Sequence, residues 1–118
     1  MTLRSAEITG WGRYMPSLVV TNHDLVDFVD TSDEWIQSRT GIKQRHYSHV
    51  STGEMGWLAA ERALAAAGLS AADLDLVILG STTPDDVCPN TASYIQNKLR
   101  ASAAAAFDLN SACTSWFY

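Results

Sequence analysis

Two short apolar runs separated by a helical segment constrain the fold more than any other feature of this chain. The first, Leu76-Val77-Ile78-Leu79, lies between an aspartate and a glycine and has the continuous apolar pattern of a strand buried on both faces of a sheet. A loop with two prolines follows over residues 81–90, then a predicted helix over residues 91–99, then a second strand within residues 103–109. This order of strand, helix and strand is typical of an α/β layered domain with a largely parallel sheet.

Capping residues and helical spacing predict the remaining elements. Ser51-Thr52-Gly53-Glu54 has the spacing of a capping box and opens a long helix that Gly68 ends. Asp33 and Glu34 fall in the first turn of a shorter helix, so interaction with the helix dipole accounts for this acidic pair without catalysis. The other predicted elements are a strand over residues 6–11, a helix from a cap at Thr21 or Asn22 to about residue 30, a helix from a cap at Thr31 or Ser32 to Thr40-Gly41, and an extended segment over residues 42–47.

Charge and composition exclude several classes of function. The 118 residues carry a net charge of −5 and only 8 Lys and Arg, so the chain lacks the basic stripe that nucleic-acid binding requires. No segment has the uninterrupted apolar length of a membrane span, and the first residues lack the apolar core of a signal peptide. We therefore expect a single cytoplasmic domain that binds neither nucleic acid nor membrane, in which Cys88 and Cys113 are free thiols.

Cys113 is the candidate nucleophile, because the run from Ala103 to Tyr118 places it where a buried strand turns into the start of a helix. Unpaired N–H groups and the positive end of the helix dipole near its sulfur would stabilise thiolate over thiol. Small neighbours, among them Ser111 and Ala112, leave room for a substrate. The alternative is an inert thiol packed as a small buried hydrophobe, which position alone favours.

Two further pairs have spacings that chemistry could use. Trp35 and Arg39 are four residues apart, so they share a helix face that could hold a flat anionic ligand such as the adenosine phosphate of a coenzyme; the alternative is an ordinary surface stack of arginine on tryptophan. His46 and His49 are spaced as metal ligands can be, but no third ligand of the right type stands nearby, so we expect no metal site.

A specific resemblance favours the catalytic interpretation. Thr31-Ser32-Asp33-Glu34-Trp35-Ile36, followed by Arg39-Thr40-Gly41-Ile42 and Arg45, resembles the signature near the N-terminus of 3-oxoacyl-acyl-carrier-protein synthase III, a family of thiolase-fold condensing enzymes. The loop from Thr82 to Pro89 and the stretch from Phe107 to Cys113 follow in the same order. The resemblance implies a thiolase-like layered αβαβα fold, of which residues 1–118 would be the N-terminal half.

The resemblance also implies roles for individual residues. Cys113 would attack an acyl-coenzyme A and form a thioester, with its own N–H group in the oxyanion hole. Thr31, Trp35 and Arg39 would hold the adenine and phosphate end of coenzyme A. Thr82 would line the tunnel of the pantetheine arm.

Cys88 occupies a position that usually carries a bulky apolar side chain, which crosses a dimer interface and walls the acyl pocket of the partner. A thiol there implies a roomier pocket that admits primers longer than acetyl.

For the whole protein, the resemblance implies decarboxylative condensation of an acyl primer with malonyl-acyl carrier protein, in a homodimer that needs no cofactor beyond its coenzyme A thioester substrate. The histidine and asparagine that promote decarboxylation are expected beyond Tyr118, so the 118 residues alone are expected to be inactive in condensation. Two alternatives stay open: a non-catalytic partner subunit or fragment of a thiolase-fold heteromer, and an acyltransferase that loads Cys113 without condensation.

Overall fold

The computed structural model describes residues 5–118, which form two compact units, residues 15–49 and residues 5–14 with 50–118. No helix in this part of the chain is long and apolar enough to cross a membrane. The elements in chain order are β1 (Leu18–Thr21), α1 (Asn22–Val26), α2 (Asp33–Thr40), β2 (Gln44–Tyr47), α3 (Thr52–Ala67), β3 (Leu76–Gly80), α4 (Thr91–Leu99) and β4 (Ala105–Leu109), with 3₁₀ turns at Ala71–Asp73 and Ala112–Trp116.

The unit of residues 15–49 is an antiparallel pair, β1 and β2, with two short helices between the strands. α2 begins and ends as predicted, because the Ser32 side chain accepts a hydrogen bond from the Trp35 N–H and Gly41 adopts a left-handed conformation after the last turn. α1 was predicted to reach about residue 30 but ends at Val26. Phe28 and Val29 are 84% and 55% exposed, so no burial stabilises a further turn of so short a helix.

The larger unit is built on a parallel pair, β3 and β4, joined through α4. Leu76 lies opposite Ala105, and Gly80 lies opposite Leu109, so both strands end at the same edge. Helices α3 and α4 pack together, and α4 packs on both strands. The buried core consists of Ile95, Leu99, Ala101 and Ala104, with partly buried Trp57, Leu64, Val77 and Leu79 against it. The predicted strand, helix and strand order is confirmed.

The prediction that β3 is buried on both faces is wrong for the described residues. Val77 and Leu79 face the core under the helices, whereas Leu76 and Ile78 on the other face are each 44% exposed. Successive side chains of a strand point to opposite faces, so helices on one side cover only alternate residues.

The predicted strand over residues 6–11 is also wrong, since these residues form no strand. They run along α3 instead, and the two glycines of Gly10-Trp11-Gly12 allow that approach. A Cβ atom on Gly10 would lie 2.5 Å from the Ala63 carbonyl oxygen, and one on Gly12 would collide with the Ala59 carbonyl oxygen. The glycine pair therefore serves the packing of this segment on a helix.

Candidate functional site

Cys113 lies in the 3₁₀ turn that follows the end of β4. The residue before it, Ala112, has φ of 47°, a left-handed conformation that costs a residue with a Cβ atom on the order of 1 to 3 kcal/mol. Such a conformation persists only where surrounding contacts impose it. The predicted α-helix start is in fact a single turn of five residues, so little helix dipole stands behind Cys113.

Ser115 is the residue that fastens this turn to the sheet. Its Oγ accepts a hydrogen bond from the Ser111 N–H at 3.0 Å and donates one to the Leu109 carbonyl at 3.1 Å. Gly80, at the end of β3, lies so close that a Cβ atom there would be 2.7 Å from the Cβ of Ser115. The end of β3, the end of β4 and the turn are therefore locked together around Cys113.

The Cys113 thiol is exposed, which contradicts the alternative of an inert buried thiol. Two cavities adjoin it. One, of about 480 Å³, is lined by Ile78, Gly80, Ala112, Cys113, Ser115, Trp116 and Tyr118. The other, of about 340 Å³, is lined by Gly80, Ser81, Thr82, Ala112 and Cys113. The structure thus brings Thr82 and Cys113, both singled out from the sequence, to the same cavity.

The backbone of the turn offers hydrogen-bond donors beside the thiol. The first backbone hydrogen bond of the turn runs from the Thr114 N–H to the Ser111 carbonyl at 3.1 Å. The N–H of Cys113 precedes it and, like the first N–H groups of any helix, has no carbonyl within the helix to bind. This group can donate to an oxygen that develops negative charge next to the sulfur.

The second candidate region lies in the unit of residues 15–49. Thr31 and Trp35 line a depression of about 370 Å³ together with Asp30 and Ser32. Trp35 is 58% exposed, and the Thr31 hydroxyl oxygen is buried without a hydrogen-bond partner among the described residues.

Arg39 follows Trp35 by one helical turn and is also exposed. Within residues 5–118, the cations placed over aromatic rings are Arg62 and Lys98, so the alternative of an arginine stacked on Trp35 is not what the structure shows. Both side chains of the predicted coenzyme A pair are therefore available to a ligand.

Helix α2, which carries this pair, begins at a fixed carboxylate. Asp33 Oδ1 accepts from the Asn22 amide at 2.8 Å, and its Oδ2 accepts from Gln37 at 2.6 Å. The hydrogen bond from Asn22 holds the pKa of Asp33 below its ordinary value, although partial burial acts in the opposite direction.

The remaining side chains that could take part in chemistry lie outside these two regions. Asp85, in the loop of residues 81–90, caps α3 by accepting from the Thr52 and Gly53 N–H groups, both at 2.8 Å. His46 is hydrogen-bonded through Nδ1 to the Pro16 carbonyl. Residues 5–118 contain no group of three or more His, Cys, Asp or Glu side chains that could hold a metal ion. Cys88 is free and exposed on the loop of residues 81–90, and its role across a dimer interface stays a prediction.

Three residues that position the sites were missed in the sequence. Asp108 caps α4 by accepting from the Thr91 and Ala92 N–H groups at 2.9 and 2.7 Å. The sequence did contain a signal for Asp108: it is a carboxylate inside an otherwise apolar strand, and such a group requires hydrogen-bond donors when it is partly buried. Asn22 and Ser115 gave no comparable signal.

Comparison with known proteins relates the whole chain to one enzyme family, although no family model matches it. It is 53% identical over all 118 residues to beta-ketoacyl-acyl-carrier-protein synthase III 2 of Vibrio cholerae, and covers 33% of that protein.

Solved structures agree in fold. The 3-oxoacyl-acyl-carrier-protein synthase III of Aquifex aeolicus matches with a TM-score of 0.89 and 46% identity, over 94% of this chain and 36% of that one. The priming beta-ketosynthase of the R1128 polyketide biosynthetic pathway matches with a TM-score of 0.86 and 34% identity, over 95% of this chain and 36% of that one. The expected thiolase-like α/β fold class is confirmed.

The chain spans about a third of the length of the curated relatives it matches. Its sequence and its fold together identify it as homologous, from end to end, to a segment of the beta-ketoacyl-acyl-carrier-protein synthase III family.

Proposed function

We propose that this chain supplies the acyl-accepting part of a beta-ketoacyl-acyl-carrier-protein synthase III. The Cys113 sulfur attacks the carbonyl carbon of an acyl-coenzyme A, the bond from that carbon to the coenzyme A sulfur breaks, and the thiol proton leaves with coenzyme A. The product is an acyl-Cys113 thioester. The observation that carries this proposal is the exposed thiol at the junction of two cavities.

The cavities differ in lining in a way that suits the two halves of such a substrate. Ser81 and Thr82 give the smaller cavity hydroxyl groups that can bind the amides of a pantetheine arm. Ile78 and Trp116 give the larger cavity the apolar surface that an acyl chain requires. The Cys113 N–H would stabilise the oxyanion of the tetrahedral intermediate.

The nucleotide end of coenzyme A would bind in the unit of residues 15–49. Trp35 offers an exposed ring face for adenine, Arg39 offers a charged planar donor for phosphate, and Thr31 lines the same depression as Trp35. No metal or further cofactor is required for this acyl transfer.

In the complete protein, we propose that the acyl group condenses with malonyl-acyl carrier protein, which loses carbon dioxide, in a cytoplasmic homodimer. The names of the relatives support this step, since they describe synthases of beta-ketoacyl-acyl carrier protein, which is the product of such a condensation. Both fatty acid and polyketide initiation are consistent with them, because one structural relative primes a polyketide pathway.

The test is the stoichiometry of coenzyme A release. The complete protein, mixed with excess acyl-coenzyme A, should release about one coenzyme A per chain. The Cys113→Ala variant should release none, although its circular dichroism spectrum should match that of the wild type. Release of carbon dioxide from malonyl-acyl carrier protein by the acylated protein would support condensation. If the protein is acylated but no carbon dioxide is released, the protein is an acyltransferase that does not catalyse condensation. Absence of coenzyme A release from folded wild-type protein would contradict the proposal and favour a non-catalytic subunit.

A further inference from the structure

Asn22 is a fully buried polar side chain, with 0% of its surface exposed, and its amide makes three hydrogen bonds that use both N–H donors and the oxygen. Its Nδ2 donates to Asp33 Oδ1 at 2.8 Å and to the Ile42 carbonyl at 2.7 Å. Its Oδ1 accepts from Arg45 Nη2 at 2.8 Å. A buried amide in this arrangement has only one orientation, because a flipped amide would set its NH₂ group against the guanidinium.

The two acceptors of Asn22 lie at opposite ends of α2. Asp33 is the first residue of that helix, and Ile42 follows the glycine that ends it. One side chain therefore holds both ends of the helix that carries Trp35 and Arg39. Because its third partner, Arg45, belongs to β2, the same amide also ties the helix to the strand pair.

The carboxylate at the start of α2 is fixed from its other side as well. Gln37 donates from within the helix to Asp33 Oδ2 at 2.6 Å, so both oxygens of Asp33 are occupied. Thr31 lies two residues before this carboxylate, and Trp35 lies two residues after it. A displacement of Asp33 would therefore move the depression that these two residues line.

We infer that Asn22 is a positioning residue for the nucleotide end of coenzyme A, acting through the orientation of α2. The inference rests on the proposed function, and it assigns to Asn22 no contact with substrate. Only an amide suits the place: a carboxylate would set a negative oxygen against Asp33 and the Ile42 carbonyl, and an apolar side chain would remove one hydrogen bond from each of the three partners.

The experiment compares two acyl donors that share one thioester. Acyl-coenzyme A carries the nucleotide, and acyl-pantetheine lacks it. The rate of Cys113 acylation is measured in full protein for wild type, Asn22→Ala and Asn22→Asp, with Asn97→Ala as control because Asn97 is exposed on α4. We expect the two Asn22 variants to raise KM for acyl-coenzyme A at least about tenfold, since small misplacement of a binding group is costly, and to leave acylation by acyl-pantetheine within about twofold.

A double variant separates positioning from a general loss of folding. In Asn22→Asp with Asp33→Asn, residue 33 can donate to residue 22, which reverses the direction of the wild-type hydrogen bond, and residue 22 can still accept from Arg45, while the Ile42 carbonyl loses its donor. The double variant should recover part of the KM for acyl-coenzyme A that Asn22→Asp loses. Asn97→Ala should match the wild type with both donors.

The outcomes distinguish this inference from the proposed function. If the wild type is acylated by neither acyl-coenzyme A nor acyl-pantetheine, the proposed function is wrong, and the inference about Asn22 is wrong with it. If wild type is acylated but the Asn22 variants lose activity equally with both donors, Asn22 has a general structural role and the inference is overturned. Unchanged KM for acyl-coenzyme A in Asn22→Ala would overturn it as well.

Discussion

Cys113 and Cys88 are both free and exposed, so exposure does not distinguish the proposed nucleophile. The difference lies in the backbone around each thiol. Cys113 follows a residue with left-handed φ and lies in a turn that Ser115 fastens to the end of β4. Cys88 lies in an exposed loop. A reactive thiol depends on a fixed environment, and Cys113 has one, with two cavities and a free N–H donor beside it.

The carboxylate of Asp33 predicts how stability depends on pH. Its pKa is held below the ordinary value of 3.8 by the hydrogen bond from Asn22, so Asp33 binds fewer protons in the folded than in the unfolded state as the pH falls past that value. Its contribution to the free energy of unfolding is therefore complete above about pH 3.8 and is lost below it.

Urea unfolding at several pH values tests this prediction. Asn22→Ala should lower the free energy of unfolding at pH 7. Below pH 4, the free energy of unfolding of this variant should fall less steeply with pH than that of the wild type, because the donor that depresses the pKa of Asp33 is gone. Asp24 and Asp73, whose pKa values are lowered by hydrogen bonds from Thr21 and Ser70, keep their contributions in both proteins. Equal slopes for wild type and variant would show that Asn22 does not set the titration of Asp33.

Among the elements, the helix ends were predicted from local sequence signals, and the strand assignments failed at β1 and at residues 6–11. Ser32, Ser51 and Asn90 each cap a helix through a side chain that accepts from a backbone N–H three residues on. Such a pattern lies within a few residues of sequence and is visible there. β1 was not predicted and residues 6–11 were wrongly assigned as a strand, because a strand depends on a partner that is distant in sequence.

The close approach of β3 to the turn at Cys113 predicts a specific incompatibility. Gly80→Ala would place a Cβ atom 2.7 Å from the Cβ of Ser115, so the turn must move. We expect the free energy of unfolding to fall by about 1 to 3 kcal/mol, as for other overpacked sites, and the rate of Cys113 acylation to fall with it.

A double-mutant cycle identifies the cause. Ser115→Gly removes the atom that Gly80→Ala strikes, so adding Gly80→Ala to the Ser115→Gly background should cost less stability than adding it to wild type. Chemical denaturation of the four proteins supplies the numbers. Additive costs would mean that the two positions do not meet as the structure places them.

For the whole molecule, the family resemblance could be recognised from the sequence, whereas the hydrogen bonds that hold the candidate site residues in place are visible only in the structure. The motif residues Thr31, Trp35 and Arg39 lie close together in the sequence, just before and within α2, so a local pattern is enough to recognise them. The network that holds that helix joins Asn22 to partners 11, 20 and 23 residues away, which no local pattern reveals. The two cavities beside Cys113 likewise combine residues from β3, the loop after it and the last turn.

The choice of primer would be a property of the complete protein. If Cys88 stands where a bulky side chain would wall the acyl pocket of the partner, Cys88→Phe should reduce that pocket and shift loading from octanoyl towards acetyl by about tenfold or more, as steric exclusion of methylenes allows. Competition between acetyl- and octanoyl-coenzyme A, read from the masses of the acylated protein, measures the ratio. Cys88→Ser, which keeps the size of the side chain, is the control, and an unchanged ratio in Cys88→Phe would contradict the assignment.

In the proposed function one of two exposed thiols accepts the acyl group, and peptide mass spectrometry after brief reaction with acyl-coenzyme A identifies which. We expect one acyl group per chain, on the peptide that contains Cys113, with the Cys88 peptide unmodified. Acylation of Cys88 to the same extent, or of neither thiol in folded protein, would contradict it.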